Sequence, residues 1–199
     1  MRLDAGGSDL EEALAGGPAA GRALKRIKEQ LRALPDHGQG SGLLRYLNRK
    51  TASHLGKLAA PQIGFNYLGR FGAAGGAAAD WAGSGEAVSL GGGSDLAMPL
   101  AHAIEVNALT LDGAAGPQLV ANWTFAPALV PEAEIKDLAQ RWFEALQALV
   151  RHASHAGAGG RTPSDLPLLA LTQSEIEELE SCYPRIEDIL PLSPLQEGL

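Results

Sequence analysis

The sequence predicts an α/β fold: a few-stranded, largely antiparallel sheet with helices on one face. Three observations carry this. Segments 63–68, 103–111 and 118–125 alternate side chains with the period of a strand. Segments 22–34 and 131–152 repeat apolar residues at three- and four-residue steps, the period of a helix. The 199 residues are 45% hydrophobic and 20% charged, an ordinary balance for a globular chain with one real core.

The net charge of -7 argues against a general nucleic-acid binder. The charge is uneven. Residues 22–50 hold eight Lys/Arg against Glu29 and Asp36, and residues 171–199 hold seven acids against Arg185. No window approaches the ~20 apolar residues of a membrane span, and Met1-Arg2-Leu3-Asp4 opens no signal peptide. Cys182 is the single cysteine and excludes an internal disulfide. The expected setting is cytoplasmic, with no membrane and no nucleic acid.

Ser8-Asp9-Leu10-Glu11-Glu12 has the polar start and early acids of a helix N-terminus, and Gly16-Gly17-Pro18 stops it. Leu24, Ile27, Leu31 and Leu34 line one side of the next helix, and Pro35 ends it. Lys25, Arg26, Lys28 and Arg32 fill its other face, which is either solvated or a contact for an acidic partner. Gly38, Gly40 and Gly42 then form a loop that permits close approach. No Gly-Lys-Ser/Thr follows, so it is no nucleotide-phosphate loop, and without a preceding strand it is no dinucleotide fingerprint. Residues 42–55 read as a helix with Leu43, Leu44, Leu47 and Leu55 partly in register.

Pro61 marks the start of the first strand and Gly69 its end. Asn66 is unusual inside it, because a side-chain amide disfavours a strand unless it meets water, a hydrogen-bond partner or a ligand. Residues 69–93 are rich in Ala and Gly and read as a long loop that Trp81 pins. In the second strand Ile104, Val106 and Ala108 face one way and Glu105 and Asn107 the other. Asp112-Gly113-Ala114-Ala115-Gly116-Pro117 turns the hairpin, and Leu119, Ala121, Trp123 and Phe125 share a face on the return. Glu105, Asn107 and Asn122 read as solvent-facing or functional.

The longest helix carries the stripe Ile135, Leu138, Trp142, Ala145 and Leu149, expected against the sheet, with Glu132 and Glu134 at its positive end. His152 and His155 lack a third ligand nearby and suit a helix C-terminus, so no metal is expected. Residues 157–180 read as a linker containing a short acidic helix from Thr172 to Glu180.

Phe65-Asn66-Tyr67-Leu68-Gly69-Arg70 resembles the last signature, FNYLG followed by Gln or Arg, of the epimerization domains of nonribosomal peptide synthetases. Pro35-Asp36-His37-Gly38-Gln39-Gly40-Ser41-Gly42 resembles the preceding signature, PxxGxGYG, in the right order and at a fitting distance, with Ser41 where that family usually has Tyr. Residues 189–199, Ile-Leu-Pro-Leu-Ser-Pro-Leu-Gln-Glu-Gly-Leu, resemble the opening of a condensation domain.

The resemblance implies one lobe of a two-lobed fold like chloramphenicol acetyltransferase. Residues 1–156 are then the C-terminal lobe, 157–180 the interdomain linker and 181–199 the start of a condensation domain. It also places Met1 inside a domain, implies a partnering N-terminal lobe, and leads us to expect an exposed apolar inter-lobe face. The implied activity is L-to-D epimerization at the Cα of an aminoacyl or peptidyl thioester on a peptidyl carrier protein. Phosphopantetheine comes from that carrier, and no cofactor is bound directly. The family's main acid/base groups lie in HHxxxDG and EGHGRE, neither of which occurs here, so this chain alone is expected to be inactive. What it offers is Asn66 and Tyr67 beside the thioester, and Gly38, Gly40 and Gly42 as a loop near the tunnel. Strand alternation sends Asn66 and Tyr67 to opposite faces unless the strand is irregular there. The alternatives are a lobe of a condensation domain, or a non-catalytic carrier-docking module that uses the basic helix alone.

Overall fold

The computed structural model describes residues 3–7, 9–72, 100–113 and 116–198. They fall into two units, one made of residues 1–58 and 140–199 and the other of residues 59–139. The fold is mixed α/β, compatible with one lobe of the expected architecture.

The first unit is helical. Helix α1 (Leu10–Leu14) starts where the Asp9 carboxylate accepts the Glu12 N–H at 3.1 Å. Helix α2 (Pro18–Arg32) begins four residues earlier than the apolar period suggested. Pro18 sits at its first position, where a missing N–H costs nothing, so the Gly-Gly-Pro run ends one helix and starts the next. Gly16 has φ of +85°, and a Cβ there would stand 2.8 Å from the Cβ of Arg151. Gly21 likewise makes room for the His152 ring. These close approaches bury Ala19 and Ala20.

Residues 42–55 are not one helix. A short turn α3 (Gly40–Gly42) runs into a π-helical turn, Leu43–Leu47, and the chain breaks at Asn48 before α4 (Arg49–Leu55). The Asn48 side chain accepts the Lys50 N–H at 2.9 Å and so caps a new helix in place of continuing the old one.

Helix α5 (Glu132–Ala153) realises the longest apolar period. Its inward line differs from the expected stripe. Ile135 and Ala148 are buried and Trp142 is half-buried, whereas Ala145 and Leu149 are exposed. A helix turns 100° per residue, so a string of three- and four-residue steps drifts off any fixed contact line. The chain continues through a 3-10 turn, Pro163–Asp165, to α6 (Gln173–Cys182) and α7 (Pro194–Glu197). Thr162 with Asp165, Thr172 with Glu175, and Ser193 with Gln196 each form a reciprocal capping box.

Among its described residues the second unit holds a three-stranded sheet in the order β1 (Ile63–Phe71), β2 (Ile104–Gly113), β3 (Gly116–Phe125). The β2–β3 hairpin is antiparallel as expected, but β1 joins β2 in parallel, so the sheet is mixed. Parallel neighbours need a long crossover, and the residues between Phe71 and Ile104 are numerous enough to supply one. Of the expected 69–93 loop, residues 69–71 belong to β1; Trp81 and most of the rest lie outside the described residues. Register shifts between Tyr67 and Arg70, where Gly69 adopts φ of +100°, a β-bulge.

Ile104, Val106 and Ala108 are buried on one face of β2, in the alternation the sequence showed. Ile135, from the first turn of α5, closes over Ile104 and Val106, with Ala121, Trp123, Phe125 and Val130 around them. Ile135→Ala should cost the sheet unit about 2–4 kcal/mol. Urea unfolding followed by Trp123 fluorescence measures this, and a cost near zero would show that Ile135 does not close the core.

Candidate functional site

The candidate site is built on β1. Ile63 to Tyr67 pair one-to-one with Ile104 to Ala108, so their side chains alternate strictly. Asn66 therefore lies on the face opposite the apolar core. It stands beside Asn107, which in turn faces Asn122 on β3, so three asparagines cross the sheet in one row. Asn66 Nδ2 donates to Asn107 Oδ1 at 3.5 Å, a long bond that leaves the amide near the open surface. Glu105 and Thr124, also directly paired, carry the same face one row away.

Tyr67 points to the other face, where its hydroxyl is 3.0 Å from Thr110 Oγ1. The bulge then brings Arg70 opposite Thr110. Arg70 Nε donates to both Asp112 carboxylate oxygens at 2.9 Å. The hydrogen bond from Arg70 to Asp112, and then the Asp112 charge, hold the guanidinium pKa above its ordinary value. The irregularity thus comes one step too late to bring Asn66 and Tyr67 to one face. It joins Tyr67 and Arg70 instead. β1 is an edge strand among the described residues, and Ile63 and Phe65 remain 53% and 60% exposed.

The glycine loop belongs to the other unit. Asp36, His37 and Gly38 all have positive φ, at 47°, 53° and 81°, a conformation that costs a residue with a side chain about 1–2 kcal/mol. Gly38 is suited to it. Gly40 and Gly42 are helical in α3, as is Ser41, and a Cβ on either glycine would meet nothing within 4 Å. Beside the loop lies an open depression of about 600 Å³ lined by Leu43, Leu44, Leu47, Asn48, Arg49 and Lys50.

Three cations of the basic face of α2 are paired within the chain, while Arg32 is exposed to solvent. Lys25 Nζ is 3.1 Å from Glu177, Arg26 is 2.6 Å from Asp4, and Lys28 pairs with Asp165. The Glu29 carboxylate accepts both the N–H and the hydroxyl of Ser164. Residues 161–177, within the segment read as a linker, are therefore clasped along α2. Thr162, Leu166 and Ile176 are fully buried there, and Arg161 N–H donates to Glu180 at 2.8 Å. Single-sequence reasoning missed this clasp; the opposite charges of residues 22–50 and 171–199 were the available signal.

His152 contacts the Gly16 carbonyl through Nδ1 at 3.3 Å, in keeping with a helix-end role. Among the described residues no three His, Cys, Asp or Glu side chains form a metal-binding group, and no helix is long and apolar enough to cross a membrane. Cys182 is exposed.

No family model and no solved structure matches the chain. Its similarity to curated proteins is nevertheless extensive. Two of them are linear gramicidin synthase subunits of Brevibacillus parabrevis. The chain is 36% identical to one over 181 residues, covering 90% of this chain and 2% of that protein. It is 37% identical to the other over 183 residues, 91% of this chain and 3% of the relative. To bacitracin synthase 3 of Bacillus licheniformis it is 32% identical over 183 residues, 89% of this chain and 3% of the relative. The chain thus spans a few hundredths of the length of the relatives it matches.

Ionised carboxylates hold the clasp together. Burial opposes ionisation of Glu29, but hydrogen bonds from Ser164 and Thr162 and the Lys28 charge outweigh it and lower its pKa. At Glu177 burial is likewise outweighed by the Lys25 hydrogen bond, and Asp165 is lowered first by its bond to Lys28. Lowered carboxylate pKa values stabilise the clasp fully above the ordinary range, about pH 4. That stabilisation is lost as pH falls through the lowered values. Exchange of the Thr162 amide, which donates to Asp165 at 2.9 Å, should accelerate below about pH 4 after correction for its intrinsic rate. A corrected rate independent of pH would contradict the clasp's ionic character.

Proposed function

We infer that this chain, which belongs with the nonribosomal peptide synthetases by its likeness to the gramicidin and bacitracin synthases, is the C-terminal lobe of an epimerization domain. The carrying observation is the signature strand itself. Among the described residues the Phe65–Arg70 segment forms a sheet edge whose apolar side chains are exposed and whose Asn66 amide faces outward on a polar face. An edge of that kind suits a lobe that meets a second lobe.

The reaction is inversion from L to D at the Cα of an aminoacyl or peptidyl thioester carried on the phosphopantetheine of a carrier protein in the cytoplasm. A proton leaves Cα and another returns on the opposite face. This needs an acid/base pair and a donor to the developing enolate oxygen. In this reading the other lobe brings the acid/base pair. This lobe brings the Asn66 amide. A side-chain amide has two N–H donors; one points to Asn107 Oδ1, and the other, which makes no hydrogen bond among the described residues, is the one this reading assigns to the thioester oxygen. Tyr67, turned away and bonded to Thr110, anchors the strand from behind. Residues 181–199 lead into the following condensation domain. A module acting through the basic helix alone is disfavoured, because Lys25, Arg26 and Lys28 are already engaged within the chain.

In a complete epimerization domain, Asn66→Ala should slow epimerization on the order of ten-fold or more, as loss of an enolate donor does. The assay follows exchange of the substrate α-proton in deuterated solvent. An unchanged exchange rate removes Asn66 from the site.

A further inference from the structure

Beyond the signature residues, the polar face of the sheet holds a side chain that no motif marks. His102 precedes β2, and its Nδ1 is 2.9 Å from the Pro61 carbonyl oxygen. A carbonyl only accepts, so Nδ1 carries the hydrogen, and in the neutral ring Nε2 is left with its lone pair. Among the described residues Nε2 makes no hydrogen bond. The ring occupies the place where residue 64 would carry a side chain: a Cβ on Gly64 would stand 2.4 Å from Cδ2 and 3.1 Å from Nε2. Gly64 is two residues before Asn66 on β1, and alternation puts both on one face. The imidazole therefore sits on the polar face, one row from the asparagines and beside Glu105, the pairing partner of Gly64.

This places an oriented acceptor, His102 Nε2, on the same face as an oriented donor, the Asn66 amide. An aminoacyl or peptidyl thioester offers the complement: a carbonyl oxygen that accepts and, one bond beyond Cα, an N–H that donates. We propose that His102 is a positioning residue of the polar face, accepting a hydrogen bond at Nε2 from the substrate's α-nitrogen while Asn66 holds its carbonyl. With both ends of the Cα unit held, the Cα–H is turned toward the acid/base groups in a fixed direction. The inference rests on the epimerization reading above. Gly64 is the second element of the device, since only a residue without Cβ lets the ring lie against β1.

Two substitutions separate this role from a purely structural one. His102→Asn keeps a polar atom near the position of Nδ1, and so the bond to Pro61, but removes the outer acceptor. His102→Gln places its amide oxygen near the position of Nε2. In a complete epimerization domain acting on a loaded carrier protein, we expect His102→Asn to raise KM for α-proton exchange about ten-fold, as loss of a substrate hydrogen bond does. We expect His102→Gln to recover most of that loss, and Gly64→Ala, which displaces the ring, to match His102→Asn. Equal behaviour of the Asn and Gln variants, or a wild-type KM in His102→Asn, overturns the proposal. Losses that simply follow lowered melting temperatures assign His102 a structural role and overturn it too. Asn66→Ala is the internal reference. If it slows exchange while His102→Asn does not raise KM, this inference alone fails; if the unaltered domain exchanges no α-proton, the epimerization reading fails and this one with it.

Discussion

The period-two alternation of β2 is the constraint that orders the sheet unit. Ile104, Val106 and Ala108 go to one face and are buried; Glu105 and Asn107 go to the other. Because β2 is the central strand, its neighbours inherit the division: paired residues share a face whether the pairing is parallel or antiparallel. A slip of one residue would carry the whole apolar set to the polar side. The row Asn66–Asn107–Asn122 is thus held in place by the burial of residues that never touch it.

That division also resolves the signature segment. In sequence, Asn66 and Tyr67 are adjacent and look like a pair. In the fold they serve opposite faces, and the bulge at Gly69 pairs Tyr67 with Arg70, Thr110 and Asp112 instead. One short motif therefore supplies a polar amide to one surface and a hydrogen-bonded anchor to the other. The glycine allows the shift of register without a strained side chain, since φ of +100° is open to it at little cost.

The helical unit is organised differently. Its close contacts come from small residues, Gly16, Ala19, Ala20 and Gly21, and its longer-range order comes from charge. Lys25, Lys28 and Glu29 meet Glu177, Asp165 and Ser164 across a large separation in sequence. Isolated exposed ion pairs contribute little. Here they line up beside three fully buried side chains, Thr162, Leu166 and Ile176, so apolar burial and charge act on the same segment. The result is a chain segment fixed in direction along α2.

Elements whose signals are local were legible in the chain itself. The strand at 63–68, the hairpin with its inward and outward residues, the long helix from 131 and the capped acidic helix all follow from period, turn residues and caps, and all are present. The two ordered signatures also sufficed to mark the synthetase kinship that the gramicidin and bacitracin synthases bear out. Features that need distant partners emerged only in the folded molecule. These are the parallel entry of β1, the bulge that regroups Tyr67 with Arg70, the inward line of α5, the break at Asn48, the His102 ring over Gly64 and the clasp on α2. The physical reason is shared. A pattern along the chain says which side of an element is apolar or charged, but which surface it meets, and in what register, is settled by residues far away in sequence.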